Sequence, residues 1–255
     1  MAVDGFPKSF GLLLYPQFEV LDVAGPIEAL NTLARLKIKD DNGQDKQPFA
    51  EITLSIIAKT WAPVTPGPIG PDTAGVHFSG RQLYCPTHTF DNAPQVDFLL
   101  VPGGFGSLSP LPGGAEADVD DAIAYVQRAY CGSDGCKPLD YLMSVCTGAA
   151  LLARAGVLDH QEATTNKQAW KYVTPLGTKT YWKADARWVV SGNIWSTSGV
   201  SAGTDGMIAW LSHMLPDKIV EQVVNSMEYN RVSDPADDPF CKINDCHDVP
   251  PLERD

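Results

Sequence analysis

Short apolar runs alternate along the chain with longer segments in which apolar residues recur at helical spacing. The apolar runs predict buried strands at 9–15, 51–60, 97–101 and 141–145. The helical spacing begins after the Gly25-Pro26 pair and recurs at 118–129, 147–155, 204–214 and 218–229. This alternation predicts an α/β fold with a mainly parallel sheet covered on both faces by helices.

Turn residues support several of these boundaries. Proline suits the first turn of a helix, so Pro26 with Gly25 as its cap predicts a helix start there. Gly156 follows the third helix, where a glycine commonly ends the last turn. A Ser-Gly-Asn turn separates the apolar runs 187–190 and 194–197 and predicts a β-hairpin.

Neither an internal repeat nor a linker interrupts the pattern, so we expect one domain over 1–255 with its core at about 9–230. Residues 40–48 are polar, and residues 61–80 hold four prolines and four glycines, so both stretches are expected to be loops. The last residues, 231–255, are acidic, and we expect them to form an extended or loosely attached tail.

Composition narrows the classes of partner. The formal net charge of −12 argues against nucleic acid and anionic membrane surfaces, which both require concentrated basic residues. No stretch approaches the roughly 20 apolar residues of a membrane-spanning helix, and the first residues lack the basic start of a signal peptide. We therefore expect a cytoplasmic protein with a small-molecule substrate.

Six cysteines are present, and four of them form two pairs with four residues between, Cys131/Cys136 and Cys241/Cys246. Either pair could ligate zinc or close a small disulfide, but the spacing matches no strong zinc signature. We expect reduced loop thiols and no metal.

Cys146 lies where the strand 141–145 gives way to the helix 147–155. Ligands of doubly wound sheets bind beyond the carboxyl ends of the strands. The small residues after Cys146 permit a tight turn, which resembles a nucleophile elbow with cysteine in place of serine. The helix N-terminus there is expected to lower the pKa of the thiol. The alternative is a small buried apolar residue without chemistry.

The strand 97–101 ends in a proline followed by Gly103, Gly104 and Phe105. Glycines at such a strand end let backbone N–H groups approach a ligand and donate to developing negative charge. We expect these three residues to bind substrate and to form an oxyanion site, although an ordinary turn is the alternative.

A nucleophilic thiol needs a partner that exchanges protons with it. No histidine is adjacent to Cys146, and none of the five has an obvious route to it: they are His77, His88, His160, His213 and His247. A carboxyl group is therefore the expected partner. Glu19 and Asp22 lie in the loop expected after the first strand, and Asp22 is the better candidate. The alternative for Asp22 is a helix cap or a surface carboxylate.

Four stretches in this order resemble the ThiJ/PfpI superfamily, which has the class I glutamine amidotransferase-like fold, and within it the isocyanide hydratase branch. They are YPQFEVLDVAGPIEAL (15–30), THTFDNAPQVDFLLVPGGFG (87–106), SVCTGAALLARAGVLDHQEATTNKQAW (144–170) and STSGVSAGTDGMIAWL (196–211). The resemblance covers about residues 9–230.

The resemblance implies a flavodoxin-like three-layer α/β/α sandwich and a homodimer. It implies a lyase that adds water to an isocyanide without a cofactor, with Cys146 as the nucleophile that forms a thioimidate. Asp22 would be its acid/base partner and Thr147 a supporting hydroxyl, and the fourth stretch would pack against the cysteine.

The chain also departs from the branch. Asn166 stands where bacterial hydratases commonly carry a histidine, and the loops at 61–71 and 131–136 are enlarged. These differences are compatible with the chemistry of Cys146 but leave the substrate open. Two alternative functions also remain: a glyoxalase- or deglycase-like enzyme acting on α-oxoaldehydes, and a cysteine-based redox or stress sensor. A protease or amidotransferase would require a positioned histidine.

Overall fold

The computed structural model describes residues 5–39, 42–67, 78–109, 119–132 and 137–252. The strands in these ranges are β1 (Ser9–Leu13), β2 (Ile38–Lys39), β3 (Asp45–Lys46), β4 (Thr53–Ala58), β5 (His88–Thr89), β6 (Phe98–Val101), β7 (Tyr141–Ser144), β8 (Glu162–Ala163), β9 (Tyr181–Trp182), β10 (Trp188–Ser191) and β11 (Ile194–Thr197). The helices are α1 (Val20–Arg35), α2 (Asp120–Cys131), α3 (Ala149–Arg154), α4 (Trp170–Val173), α5 (Ala202–Met214), α6 (Asp217–Ser226) and α7 (Phe240–Ile243).

A seven-stranded sheet in the order β10-β11-β7-β6-β1-β4-β5 forms the centre of the molecule. Every neighbouring pair is parallel except the β10–β11 hairpin. Helix α1 packs on α5 and α6, and α2 packs on α3. The prediction of a flavodoxin-like α/β/α sandwich is therefore confirmed.

The strand order places the carboxyl ends of β1, β6 and β7 side by side. From β1 the chain adds β4 and β5 on one side, and it then adds β6 and β7 on the other side, so the strand order reverses between β1 and β6. Doubly wound sheets form their ligand crevice at such a point. In the parallel register, Val101 at the end of β6 pairs with Ser144 at the end of β7. The segments that follow these three strands therefore meet at one edge of the sheet.

Apolar burial explains why the central strands read as continuous apolar runs. All four residues of β6 are buried, and so are three of the four in β7. The fully buried Trp210 of α5 packs edge-on against Phe98 of β6, with 4.7 Å between ring centroids. Side chains on both faces of the sheet thus contact helices and exclude water.

Helix α1 corrects the predicted start at the Gly25-Pro26 pair. The helix begins at Val20, and Pro26 lies inside it. Pro26 has no N–H, so the carbonyl of Asp22 four residues earlier loses its intrahelical hydrogen bond. A Cβ on Gly25 would overlap the Thr204 hydroxyl of α5. The pair therefore serves the close packing of α1 on α5.

The segment after Arg231 also differs from its prediction. Through residue 252 it is packed against the domain and is not a loose tail. It forms α7, buries Asp238 and Cys246, and pairs Val249 with Trp182 in an antiparallel bridge. The acidic composition of the segment did not predict this packing, because the buried partner of Asp238 is Lys167, which lies far away in sequence.

The remaining boundaries differ by a few residues. The hairpin of β10 and β11 is confirmed, and Gly156 adopts φ +74° after α3. A 3-10 turn over Cys146–Gly148 precedes α3, which ends at Arg154. Parts of the predicted loops at 40–48, 61–80 and 131–136, the start of the helix at 118–129, and residues 253–255 lie outside the described residues. None of the helices within the described ranges has the length and apolarity to cross a membrane.

Candidate active site

Cys146 lies at a strained turn between β7 and the helix that follows. Its backbone is in the left-handed region at φ +58°, which non-glycine residues rarely adopt. Two other segments hold this conformation: the Cys146 N–H donates to Ser198 O at 3.0 Å, and Thr165 Oγ1 donates to Cys146 O at 2.8 Å. The elbow geometry predicted for this cysteine is therefore present.

Three donors point at the Cys146 sulfur, which is buried. Asn166 Nδ2 lies 3.1 Å from Sγ, and the backbone N–H groups of Thr147 and Val200 also donate towards it. Val200 is itself strained, with φ +38° for a β-branched residue. Backbone strain of this kind is typical of functional sites.

The thiol is nevertheless a weak acid. Burial, followed by the charge of Asp22, raises the pKa of Cys146 to about 12, and the three donors offset only part of this rise. The lowered pKa that we expected from the helix N-terminus is thus wrong. Desolvation outweighs that effect because the sulfur is almost out of water and α3 has only six residues. Cys146 is a thiol at neutral pH and needs a base.

Asp22, in the first turn of α1, is the acidic residue whose charge acts on this thiol. Its carboxyl is fully buried, with Oδ2 accepting the Gly103 N–H at 2.8 Å and Oδ1 without a hydrogen-bond partner among the described residues. Burial raises the pKa of Asp22 to about 8 and the nearby charge of Glu19 contributes, while hydrogen bonds from Gly103 and Cys146 lower it. A carboxyl group with a pKa near 8 is suited to exchanging a proton with a thiol.

Gly103 and Gly104 support the pair in a way that differs from the prediction. The Gly103 N–H donates to Asp22, and the Gly104 N–H donates to Thr147 Oγ1 at 2.9 Å. Neither N–H remains for an oxyanion, so the expected role of the glycines in oxyanion binding is corrected to holding Asp22 and Thr147. A Cβ on Gly103 would lie 2.5 Å from Thr147 N and 2.9 Å from Asp22 Oδ2, so only glycine fits.

Sequence reasoning did not identify Ser107. Its hydroxyl lies 2.8 Å from Thr147 Oγ1 and 2.7 Å from Gly104 O, which completes the network around Thr147. Nothing in the sequence marked this serine, because its role depends on the 3-10 turn after Gly104. The role of Val200 could not be predicted either, since the type of a residue does not indicate that its backbone is strained.

A cavity of about 370 Å³ opens at this edge of the sheet, with Cys146 and Thr147 in its wall. Its apolar lining comes from Phe105, Leu108, Ala169, Tyr172 and Val200, and its polar lining from Glu19, Asn166 and Gln168. Phe105 and Tyr172 are 80% and 59% exposed, so aromatic side chains stand at the mouth. Phe105 thus lies where substrate binding was predicted. The size and lining suit a small, mostly apolar molecule.

None of the described residues that line this cavity is a histidine. No group of three metal-ligating side chains was found within the described ranges. Cys131, Cys241 and Cys246 carry free thiols, and Cys136 lies outside the described residues. Asn166, noted in the sequence only as a departure from the hydratase pattern, donates to the sulfur through its side-chain amide.

Comparison with known proteins agrees with the resemblance seen in the motifs. Residues 8–216 match the profile of the DJ-1/PfpI family. The chain belongs to the DJ-1/PfpI family. It is 27% identical over 219 residues to an isonitrile hydratase of Pseudomonas putida, covering 86% of this chain and 77% of that protein.

Solved structures of the family share the fold. A ThiJ/PfpI family protein from Pseudomonas syringae superposes with a TM-score of 0.65 at 21% identity, covering 89% of this chain and 77% of that one. Schizosaccharomyces pombe DJ-1 gives a TM-score of 0.58 at 13% identity, covering 87% and 100%. These matches confirm the predicted sheet architecture.

The buried Asp22 of this DJ-1/PfpI protein predicts a stability that falls as pH rises. Folding raises its pKa from 3.8 to about 8, so between these values the folded chain holds a proton that the unfolded chain has lost. The free energy of unfolding should decline across this window and level off above it. Urea unfolding at several pH values checks this against Asp22→Asn, which should lack that part of the decline. Parallel curves for the two proteins would contradict it.

Proposed function

We propose that this protein hydrates isocyanides, converting R–N≡C and water into an N-substituted formamide. The observation that carries the proposal is the Cys146 thiol in the wall of a cavity with an apolar mouth, together with the fully buried Asp22 carboxyl that interacts with this thiol. The pair supplies a nucleophile and a proton carrier without a histidine. The similarity to an isonitrile hydratase of Pseudomonas putida supports the same reaction.

The first step joins Cys146 to the substrate. The Asp22 carboxylate takes the thiol proton on Oδ1, the oxygen that has no hydrogen-bond partner among the described residues. The sulfur then attacks the terminal carbon of R–N≡C. Asp22 then returns the proton to that carbon. The S–H bond is broken, S–C and C–H bonds are formed, and the product is the thioimidate R–N=CH–S.

The second step uses water. Its oxygen adds to the thioimidate carbon and a proton passes to nitrogen, which gives R–NH–CH(OH)–S. The C–S bond then breaks, the formamide R–NH–CHO leaves, and Asp22 returns the hydroxyl proton to the sulfur. Asn166 and the backbone N–H groups of Thr147 and Val200 stabilise the sulfur whenever it carries negative charge.

The lining of the cavity favours a neutral, apolar R group. Phe105, Leu108 and Tyr172 present aromatic and aliphatic surface to a substrate that enters. An isocyanide has no acidic proton and no net charge, so it enters such a site at a small desolvation cost. Anionic substrates are disfavoured because Glu19 lies in the same wall.

A panel of alkyl and aryl isocyanides tests the proposal. We expect formamide to appear, followed by proton NMR, fastest for bulky apolar R groups. Failure to turn over any member would overturn the function. Methylglyoxal serves as the comparison: its consumption without isocyanide turnover would favour the α-oxoaldehyde chemistry. A stable gain of two oxygen atoms on Cys146 after mild peroxide, with no turnover, would favour a sensor.

The homodimer and the cytoplasmic location stay predictions. The homodimer is predicted from the resemblance to the superfamily, and the cytoplasmic location is predicted from the sequence.

A further inference from the structure

Lys167 is a buried cation next to the active-site residue Asn166. Its Nζ donates to Thr164 Oγ1 at 2.7 Å, to Ala186 O at 2.8 Å and to Thr165 O at 3.2 Å. The side chain is only 1% exposed. A buried ammonium group requires both hydrogen-bond acceptors and a counter-charge.

Asp238, in the segment after Arg231, provides the counter-charge. Its Oδ2 lies 3.3 Å from Lys167 Nζ, and its side chain is 0% exposed. Burial lowers the pKa of Lys167, and Asp238 opposes that shift. The pair therefore ties the C-terminal segment to the loop 164–170.

Two further hydrogen bonds join the same two segments. The Cys246 thiol donates to Lys167 O at 3.3 Å, and Trp170 Nε1 donates to His247 O at 3.1 Å. The loop 164–170 is thus held at its middle and at its end by residues that the sequence suggested were a loose tail.

The same loop contacts the nucleophile. Asn166 Nδ2 donates to Cys146 Sγ at 3.1 Å, while its Oδ1 accepts the Ala169 N–H at 3.0 Å and so keeps the amide oriented. Thr165 Oγ1 donates to Cys146 O at 2.8 Å. Movement of Lys167 would therefore displace the donor that stabilises the sulfur.

We propose that Lys167 and Asp238 are positioning residues that hold Asn166 against the Cys146 sulfur. This inference rests on the proposed role of Cys146 as the nucleophile. The other titratable groups that face the sulfur are Asp22 on α1 and Tyr15 after β1. Within the described residues, no hydrogen bond or ion pair joins either of them to Lys167 or Asp238. The two residues therefore act on the thiol only through the loop.

Alkylation of Cys146 by iodoacetamide tests the proposal without any isocyanide. The rate is followed by peptide mass spectrometry from pH 7 to 10 in the wild type, Asn166→Ala and Asp238→Asn. Loss of one hydrogen bond to a thiolate is expected to slow alkylation about tenfold at each pH, equivalent to about one pKa unit, in both variants. The control is Asp237→Asn, which removes a neighbouring exposed carboxylate and should alkylate like the wild type.

Asp238→Asn leaves Lys167 without its counter-charge and could unfold the chain, so a second variant removes both charges. Lys167→Met/Asp238→Leu is expected to melt near the wild-type temperature, because apolar pairs commonly replace buried ion pairs without loss of stability. Cys146 in this variant should still be alkylated about tenfold more slowly than in the wild type, since the hydrogen bonds from Lys167 to Thr164 and Thr165 are lost.

Three results would overturn the proposal: wild-type or faster alkylation in the folded double variant, in Asp238→Asn, or in Asn166→Ala. The alkylation rates do not depend on whether the protein hydrates isocyanides. Slow alkylation in these variants together with a wild type that hydrates no isocyanide would refute the function alone.

Discussion

Cys146→Ala is expected to lower kcat/KM for isocyanide hydration by at least about a thousandfold, because the account assigns it the only covalent step. Cys146 is the only cysteine among the described residues that line the cavity, and the neighbouring Thr147 hydroxyl is engaged with Gly104 and Ser107. Cys146→Ser should be nearly as inactive, since a hydroxyl is far less acidic than a thiol and Asp22 is a weak base for it.

The matched control for this change is Cys85→Ala. Cys85 carries a free, exposed thiol and is not part of the cavity wall, so its removal should leave the rate unchanged. Formamide production is measured under the same conditions for all variants, with circular dichroism to confirm folding. A Cys146→Ala protein that keeps wild-type turnover would contradict the covalent mechanism.

Asp22→Asn is expected to lower kcat/KM by about a hundredfold to a thousandfold, the usual contribution of a general base. In the wild type, kcat/KM should rise with pH and level off above about 8, because the carboxylate form takes the thiol proton and its pKa is about 8. The variant should lose this inflection. It should also unfold at higher denaturant than the wild type at pH 8, since a buried charge has been removed.

Glu19→Gln is the control for the pH profile. Its charge contributes to the raised pKa of Asp22, so the variant should keep the inflection but move it to lower pH. An inflection near 8 that persists in Asp22→Asn would assign the titration to another group and contradict the role given to Asp22.

Much of the fold could be predicted from the sequence because the relevant signals are local. Continuous apolar runs such as 97–101 require burial on both faces, which only a covered parallel sheet provides. The position of Cys146 between a strand and a helix then placed it at the ligand edge of the sheet. The predicted helix start at Pro26 was wrong, because the sequence alone does not distinguish a proline inside a helix from one at its first turn.

The properties of the site depend on tertiary contacts, so less of the site than of the fold could be predicted from the sequence. The raised pKa of Cys146 follows from burial, which local sequence does not report. The Gly103 and Gly104 N–H groups were expected to serve a ligand, but their acceptors, Asp22 and Thr147, are distant in sequence. The role of Asp238 depends on a lysine that the chain brings beside it only on folding.

The most direct test of the central claim is rapid-quench mass spectrometry of the wild type during a single turnover of an isocyanide. The account predicts a covalent adduct with the mass of one isocyanide on the peptide that contains Cys146, which decays at the rate at which formamide appears. Formamide that forms while this peptide stays unmodified at every quench time would contradict the account.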